Sequence, residues 1–202
     1  MTLLERITNV FTPKKTEKRN LSFNSIFPQV NSFDTDKALT LTAVWCAIRL
    51  LSESVSSLPI SVYTKRNNGD KLEDTKSPIY KLIKYKPNYY QTKITFFEFI
   101  MLSICTDGNG YAQIVRNNSG TPVQLLCIDP EKVTVVVNNN ELFYQVNDGR
   151  VLDSADMLHI KTITDDGITG LSPIDQCAKA LKWSESLEEF GSTFFSNGAK
   201  PS

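Results

Sequence analysis

From Leu39 onward the apolar positions recur at helical spacing: Ala43, Val44, Ala47, Ile48, Leu51, Val55 and Leu58, with Ser54 on the same side. This predicts a helix capped at its start by Thr40 or Thr42. It must stop at Leu58, because the residue before Pro59 avoids the α region. Ile60 to Tyr63 alternates as a strand, Asn67-Asn68-Gly69-Asp70 is a turn, and a short return strand is expected near Leu72. Ser77-Pro78 opens a short helix with Ile79, Leu82 and Ile83 on one face. Thr95 and Glu98 form an expected capping box for a second helix, which carries Phe99, Ile100, Leu102 and Ile104 into Asp107-Gly108-Asn109-Gly110.

Strand patterns follow at 111–116, 123–128, 132–137, 142–146 and 157–161, with Asn-, Gly- and Pro-rich turns between them. Ser172-Pro173 then caps a long helix whose expected apolar face is Ile174, Cys177, Ala178, Leu181, Leu187, Phe190 and Phe194, with Ser184 among them; Asn197-Gly198 ends it. Helices, then strands, then a helix, with no regular βαβ alternation, indicate an α+β fold: an antiparallel sheet meander packed with several helices.

Residues 1–38 are patterned differently. Leu3, Leu4, Ile7, Val10 and Phe11 are spaced for one or two amphipathic turns, then Pro13-Lys14-Lys15 interrupts them. Residues 20–37 are rich in Asn, Ser and Asp, with Phe23, Ile26, Phe27 and Phe33 as isolated apolar hooks. The segment reads as a flexible N-terminal arm, either a disordered terminus or one that orders against a neighbouring subunit. The chain thus divides into an arm over 1–38 and an α+β domain over 39–202.

Composition narrows the function. The 202 residues carry 22 Lys+Arg and 22 Asp+Glu, a formal net charge of zero. A protein whose task is to grip bare nucleic acid or an acidic membrane surface usually shows a basic excess. Cys46, Cys105, Cys127 and Cys177 are scattered, form no CxxC pair, and read as reduced core thiols of an intracellular protein. With His159 as the single histidine there is no Cys/His metal cluster. The start is no secretory signal, and no run approaches the roughly 18 apolar residues of a membrane span.

Candidate chemistry is sparse. Asp107-Gly-Asn109 resembles the opening of a calcium loop, but Ala112 and Asn118 stand where such a loop needs glycine and glutamate. His159 near Asp156, Asp165 and Asp166 offers a general-base or metal-hydrolase arrangement, yet Leu158-His159-Ile160 lies in an expected strand, which favours a structural histidine. There is no GxSxG elbow and no phosphate loop. No catalytic, cofactor-binding or metal residue is assigned, and the chain reads as a non-enzyme.

A set of ordered segments adds what composition does not. They are Ala43-Val-Trp-Cys-Ala-Ile48 with Ser57-Leu-Pro-Ile-Ser-Val-Tyr63, Ser77-Pro-Ile-Tyr-Lys-Leu82, Lys86-Pro-Asn88, and Phe96-Phe-Glu-Phe99 with Gly108-Asn-Gly-Tyr111. Leu126-Cys-Ile-Asp-Pro130, Asp156-Met-Leu-His-Ile-Lys161, Asp166-Gly-Ile-Thr-Gly-Leu-Ser-Pro-Ile174 and Phe195-Ser-Asn-Gly198 follow. In this order the chain resembles the portal (head–tail connector) proteins of tailed bacteriophages and prophages, in the long-tailed branch. The resemblance implies a subunit of a usually dodecameric ring at one capsid vertex, through which double-stranded DNA is packaged and ejected without sequence-specific binding. It implies docking of terminase, of major capsid or scaffold protein and of tail-connector proteins, with no membrane and no cofactor. The implied location is the virion, and the host bacterial cytoplasm during assembly. Zero net charge fits a channel that must not hold phosphates tightly.

Family members are typically about twice this long. The matching portion is the N-terminal, wing-like half, so the expectation is a fragment without stem, clip and crown. Its long terminal helix would then keep an apolar face whose partners are partly missing. An interaction module that binds capsid or scaffold proteins without forming a ring is the alternative.

Overall fold

The computed structural model describes residues 32–67, 69–138, 141–196 and 198. The apolar positions from Leu3 to Phe27 lie outside the described residues, as do Asn68, Asn139 and Asn140 of the expected turns.

Asp34 opens the first helix, α1 (Thr35–Thr40), by accepting the Asp36 amide at 3.0 Å. This helix spans residue 38, where the sequence pattern changes. Leu41, in extended conformation, separates it from α2 (Thr42–Ser57). The N-cap of α2 is therefore Leu41, with no side-chain cap bond, rather than Thr40 or Thr42. Thr40 is already committed to the last turn of α1, where its hydroxyl donates to the Lys37 carbonyl at 2.7 Å. At the other end Leu58 is extended, as the following Pro59 requires.

The first strand lies slightly later than expected, while its return strand contains Leu72 as expected. β1 (Tyr63–Lys65) pairs antiparallel with β2 (Lys71–Glu73). Pro78 sits in the first turn of α3 (Pro78–Lys84), but Ser77 makes no side-chain cap; the Asp74 carboxylate accepts the Lys76 and Ser77 amides instead, each at 3.1 Å. The next helix, α4 (Lys93–Asp107), starts earlier than its expected Thr95 cap. Its capping box joins Thr92 and Thr95, with Thr95 filling the role usually given to Glu or Gln. Gly108 ends α4 at φ 77°, a left-handed conformation. A Cβ there would collide with the Leu171 backbone, so this position requires glycine twice over.

The remaining strands are β3 (Asn109–Arg116), β4 (Pro122–Ile128), β5 (Val133–Asn138), β6 (Glu141–Val146), β7 (Val151–Asp153) and β8 (Met157–Lys161). They form two antiparallel three-stranded sheets, ordered β4-β3-β8 and β5-β6-β7. The meander breaks where β8 returns to β3, aligning Tyr111 with both Ile128 and His159. β7 has only three residues and was not apparent from the alternation.

Strand β3 divides the interior between its two faces, as the period of two dictates. Ala112 joins Leu82, Phe96, Ile100 and Leu125 under the helices. Tyr111 joins Ile128, Tyr144, Val146 and Met157 between the sheets. A third cluster ties Phe33, Ala38, Leu41 and Ile48 to Ile174, Ala178 and Leu181 of the last helix, α5 (Pro173–Ser196). Phe33, read from the sequence as a hook of the arm, is thus a core residue. The architecture is α+β. Among the described residues no helix is long and apolar enough to cross a membrane.

Candidate subunit-contact surfaces

Helix α2 shows the largest departure from its sequence pattern. The expected inner face ran through Ala43, Val44, Ala47, Ile48, Leu51, Ser54, Val55 and Leu58. The structure buries Ile48 of that set and leaves Val44 and Val55 half-buried, but it completes the buried face with Ser52 and Ser56 rather than Ala43, Ala47, Leu51 or Leu58. Ser52 follows Leu51 by one residue, about 100° around the helix. Small serines let α2 lie close to α4; Ser56 satisfies its hydroxyl by donating to the Glu53 carbonyl at 3.2 Å. The apolar stripe is left facing outward, with Leu51 51% and Leu58 54% exposed. Ala43 and Ala47 are exposed beside them.

Helix α5 behaves the same way along its length rather than around it. Ser172 caps it by accepting the Asp175 amide at 3.1 Å and anchors it by donating to the Thr106 carbonyl at 2.6 Å. Ile174, Ala178 and Leu181 are buried against α1 and α2. Beyond Leu181 no described residue of the helix is buried. Leu187 and Phe190, expected on the inner face, are 71% and 70% exposed, and Trp183 and Phe195 stand beside them in solvent. Cys177, also expected inside, is exposed. The cysteines divide into exposed Cys46 and Cys177 and half-buried Cys105 and Cys127, so the expectation of four core thiols is corrected. A third apolar surface lies on the α3–α4 connection, where Tyr85, Tyr89, Tyr90 and Ile94 are exposed.

The polar residues singled out for chemistry are engaged in holding loops. His159 pairs its Nε2 with the Asn109 Oδ1 at 3.0 Å and its Nδ1 with the Tyr144 hydroxyl at 3.1 Å. Because the Asn109 Oδ1 also accepts the Gly170 amide at 2.7 Å, it is an acceptor, and His159 must donate from Nε2 and accept at Nδ1. Burial, with Lys161 nearby, pushes the His159 pKa down to about 4, so the ring is neutral near pH 7. None of the three aspartates enters its hydrogen-bond shell. Asp156 accepts from the Arg116 Nε at 2.7 Å, and Asp166 accepts the Ile168 and Thr169 amides at 2.7 and 2.8 Å. Among the described residues no group of three or more His, Cys, Asp or Glu side chains is placed to hold a metal ion. Asn109, read from the sequence as part of a glycine-rich turn that resembles the opening of a calcium loop, is the hub that binds β3, β8 and the 162–171 loop. Its Nδ2 donates to the Asp107 and Gly170 carbonyls at 2.9 and 3.0 Å.

The exposed apolar surface is therefore mainly helical, built on a braced sheet. The family model described as "Phage portal protein" matches residues 42–202. The chain belongs to the phage portal protein family. It is 30% identical over 174 residues to the portal protein of Enterobacteria phage HK97, covering 84% of this chain and 41% of that protein. It is 29% identical over 178 residues to the probable portal protein of Streptomyces phage phiC31, covering 81% of this chain and 38% of that one. Protein BeeE of Escherichia coli K12 is 38% identical over 96 residues, covering 48% of this chain and 60% of that protein. The chain therefore spans about two fifths of the length of the two portal proteins.

Solved structures share the fold. One described as the neck of an empty gene transfer agent particle, computed with C6 symmetry, matches with TM-score 0.66 and 24% identity, over 84% of this chain and 48% of that one. An HK97-family portal protein from Corynebacterium diphtheriae matches with TM-score 0.59 and 19% identity, over 80% of this chain and 50% of its own.

Proposed function

We propose that this portal-family chain supplies the wing-like part of a ring at a capsid vertex, through which double-stranded DNA is packaged and ejected. The observation that carries the reading is the pair of outward apolar faces on α2 and α5 in a chain matched by the portal family from residue 42. A cyclic ring needs two different patches per subunit, because its contacts are head to tail. Two separate faces on two helices meet that requirement. One gene transfer agent neck of the same fold is described with C12 symmetry, at TM-score 0.64.

The role is structural and non-catalytic, located in the virion and in the host bacterial cytoplasm during assembly. Terminase, major capsid or scaffold protein, and tail-connector proteins are the partners, and DNA passes without sequence-specific binding. The balanced charge supports this passage, since each neutralised phosphate would add affinity and slow translocation.

The test is a chimera in which residues 42–202 replace the corresponding segment of the HK97 portal protein. Rings with a central channel in negative-stain microscopy, lost on Leu51→Asp, are the expected result. A folded chimera that stays monomeric while the parent forms rings overturns the proposal.

A further inference from the structure

Between α2 and α4 lies a groove of about 300 Å³, lined by Trp45, Ile48, Ser52, Phe99 and Leu102 and rimmed by Arg49, Glu53 and Glu98. Two of its polar groups lack what their surroundings demand. Ser52 is only 7% exposed, and its Oγ is a buried polar atom with no hydrogen-bond partner among the described residues. A buried hydroxyl left unpaired keeps the full penalty of its lost hydration. Glu98 is half-buried and, among the described residues, forms no ion pair, whereas Arg49 is taken by Glu53 at 2.6 Å. An apolar floor with an unpaired hydroxyl and an unpaired carboxylate fits an amphipathic segment with a basic flank.

We propose that this groove is the docking site of the chain's own N-terminal segment, Leu3 to Phe11. Three observations select that occupant. Leu3, Ile7, Val10 and Phe11 have the spacing by which a helix anchors in a groove. Lys14 and Lys15 follow directly, and residues 1–31 hold five basic and two acidic residues, making them +3 against −3 for the rest of a neutral chain. The described chain begins beside Phe33, which shares its core cluster with Ile48 of the groove. A linker of 20 residues between Phe11 and residue 32 has an r.m.s. reach of roughly 25 Å, and such a short tether gives an effective concentration on the order of millimolar. Docking within the same chain therefore needs only weak intrinsic affinity.

The test uses the full chain, prepared light and ¹⁵N-labelled, mixed, and treated with a zero-length carbodiimide. Amide cross-links from Lys14 or Lys15 to Glu98 or Glu53 are expected, each within one isotopic label, with yield falling at least tenfold in Ile7→Glu. In a Trp183→Phe background, which leaves Trp45 as the sole tryptophan, Ile7→Glu should shift emission to the red as the groove opens. Circular dichroism of the Ile7→Glu variant should match that of the parent chain. Absence of the cross-link, equal yield in Ile7→Glu, or unchanged Trp45 emission overturns the proposal. A predominance of mixed-isotope pairs overturns the same-chain assignment.

Discussion

His159 on β8 donates to the side-chain oxygen of Asn109 on β3, 3.0 Å away, and that oxygen also takes the Gly170 amide. The neutral imidazole is thereby built into the joint between the sheet and the loop leading to α5. Protonation would add a hydrogen at Nδ1, which accepts from Tyr144, and would put a charge in a half-buried site.

The sign of the pH dependence follows. The folded pKa, about 4, lies below the ordinary histidine value of 6.5, so the unfolded chain binds the proton better. The histidine's contribution is fully present above pH 6.5 and is lost as pH falls toward 4. Its size should be roughly 1–3 kcal/mol, the site being only half-buried. Urea denaturation at pH 7.5 and 5.0 should show a larger loss for the wild type than for His159→Gln. Equal losses would mean that the ring is not titrating with folding.

Gly108 tests geometry. Its φ of 77° is shared by Gly120 at 74°, but only Gly108 has the backbone of Leu171 where a Cβ would go. Gly120→Ala should cost about 1 kcal/mol, the strain of a left-handed residue. Gly108→Ala should cost roughly 3 kcal/mol or more, since backbone must move as well. Thermal denaturation of the two variants separates them; equal melting temperatures would remove the steric argument.

The sequence pattern was a good guide where burial arises within the chain, and a poor one where it does not. Strands β3 to β6 and β8 were legible because one face of each sits on a core and turn residues punctuate them. β7 was too short to show a period. The face of α2 was misjudged for a physical reason. Apolar residues at helical spacing mark a stripe without saying whether the chain itself covers it, so Ala47, Leu51 and Leu58 outweighed Ser52 and Ser56 in the pattern. The exposed end of α5 was legible as apolar but not as solvent-facing, for the same reason. Asn109 carried no signal, because its importance rests on Gly170, 61 residues away.

The outward stripe of α5 should therefore matter for association and not for folding. Leu187→Ser and Phe190→Ser should leave stability within about 0.5 kcal/mol, as exposed positions do. Leu181→Ala, inside the cluster with Ile48 and Ile174, should cost roughly 2–4 kcal/mol. Sedimentation velocity should show less self-association in the first two variants. Undiminished association would exclude the stripe as a contact surface.

Thiol reactivity gives an independent check on the division of the cysteines. Cys46 and Cys177 are exposed. Burial pushes the Cys127 thiol up to about 12, with Gln91 offsetting this only in part, and burial raises Cys105 as well. The thiolate is the reacting species, so at pH 8 the raised pKa keeps Cys127 almost wholly in the unreactive thiol form. A maleimide at pH 8 should label Cys46 and Cys177 first, as read by peptide mapping. Labelling of Cys127 should be at least about a hundredfold slower, combining low thiolate content with poor access. In urea all four should react alike, because the differences come from the fold and not from the neighbouring sequence. Labelling of native Cys127 at the rate of Cys46 would show that β4 is not held against α3 and α4 as the structure places it.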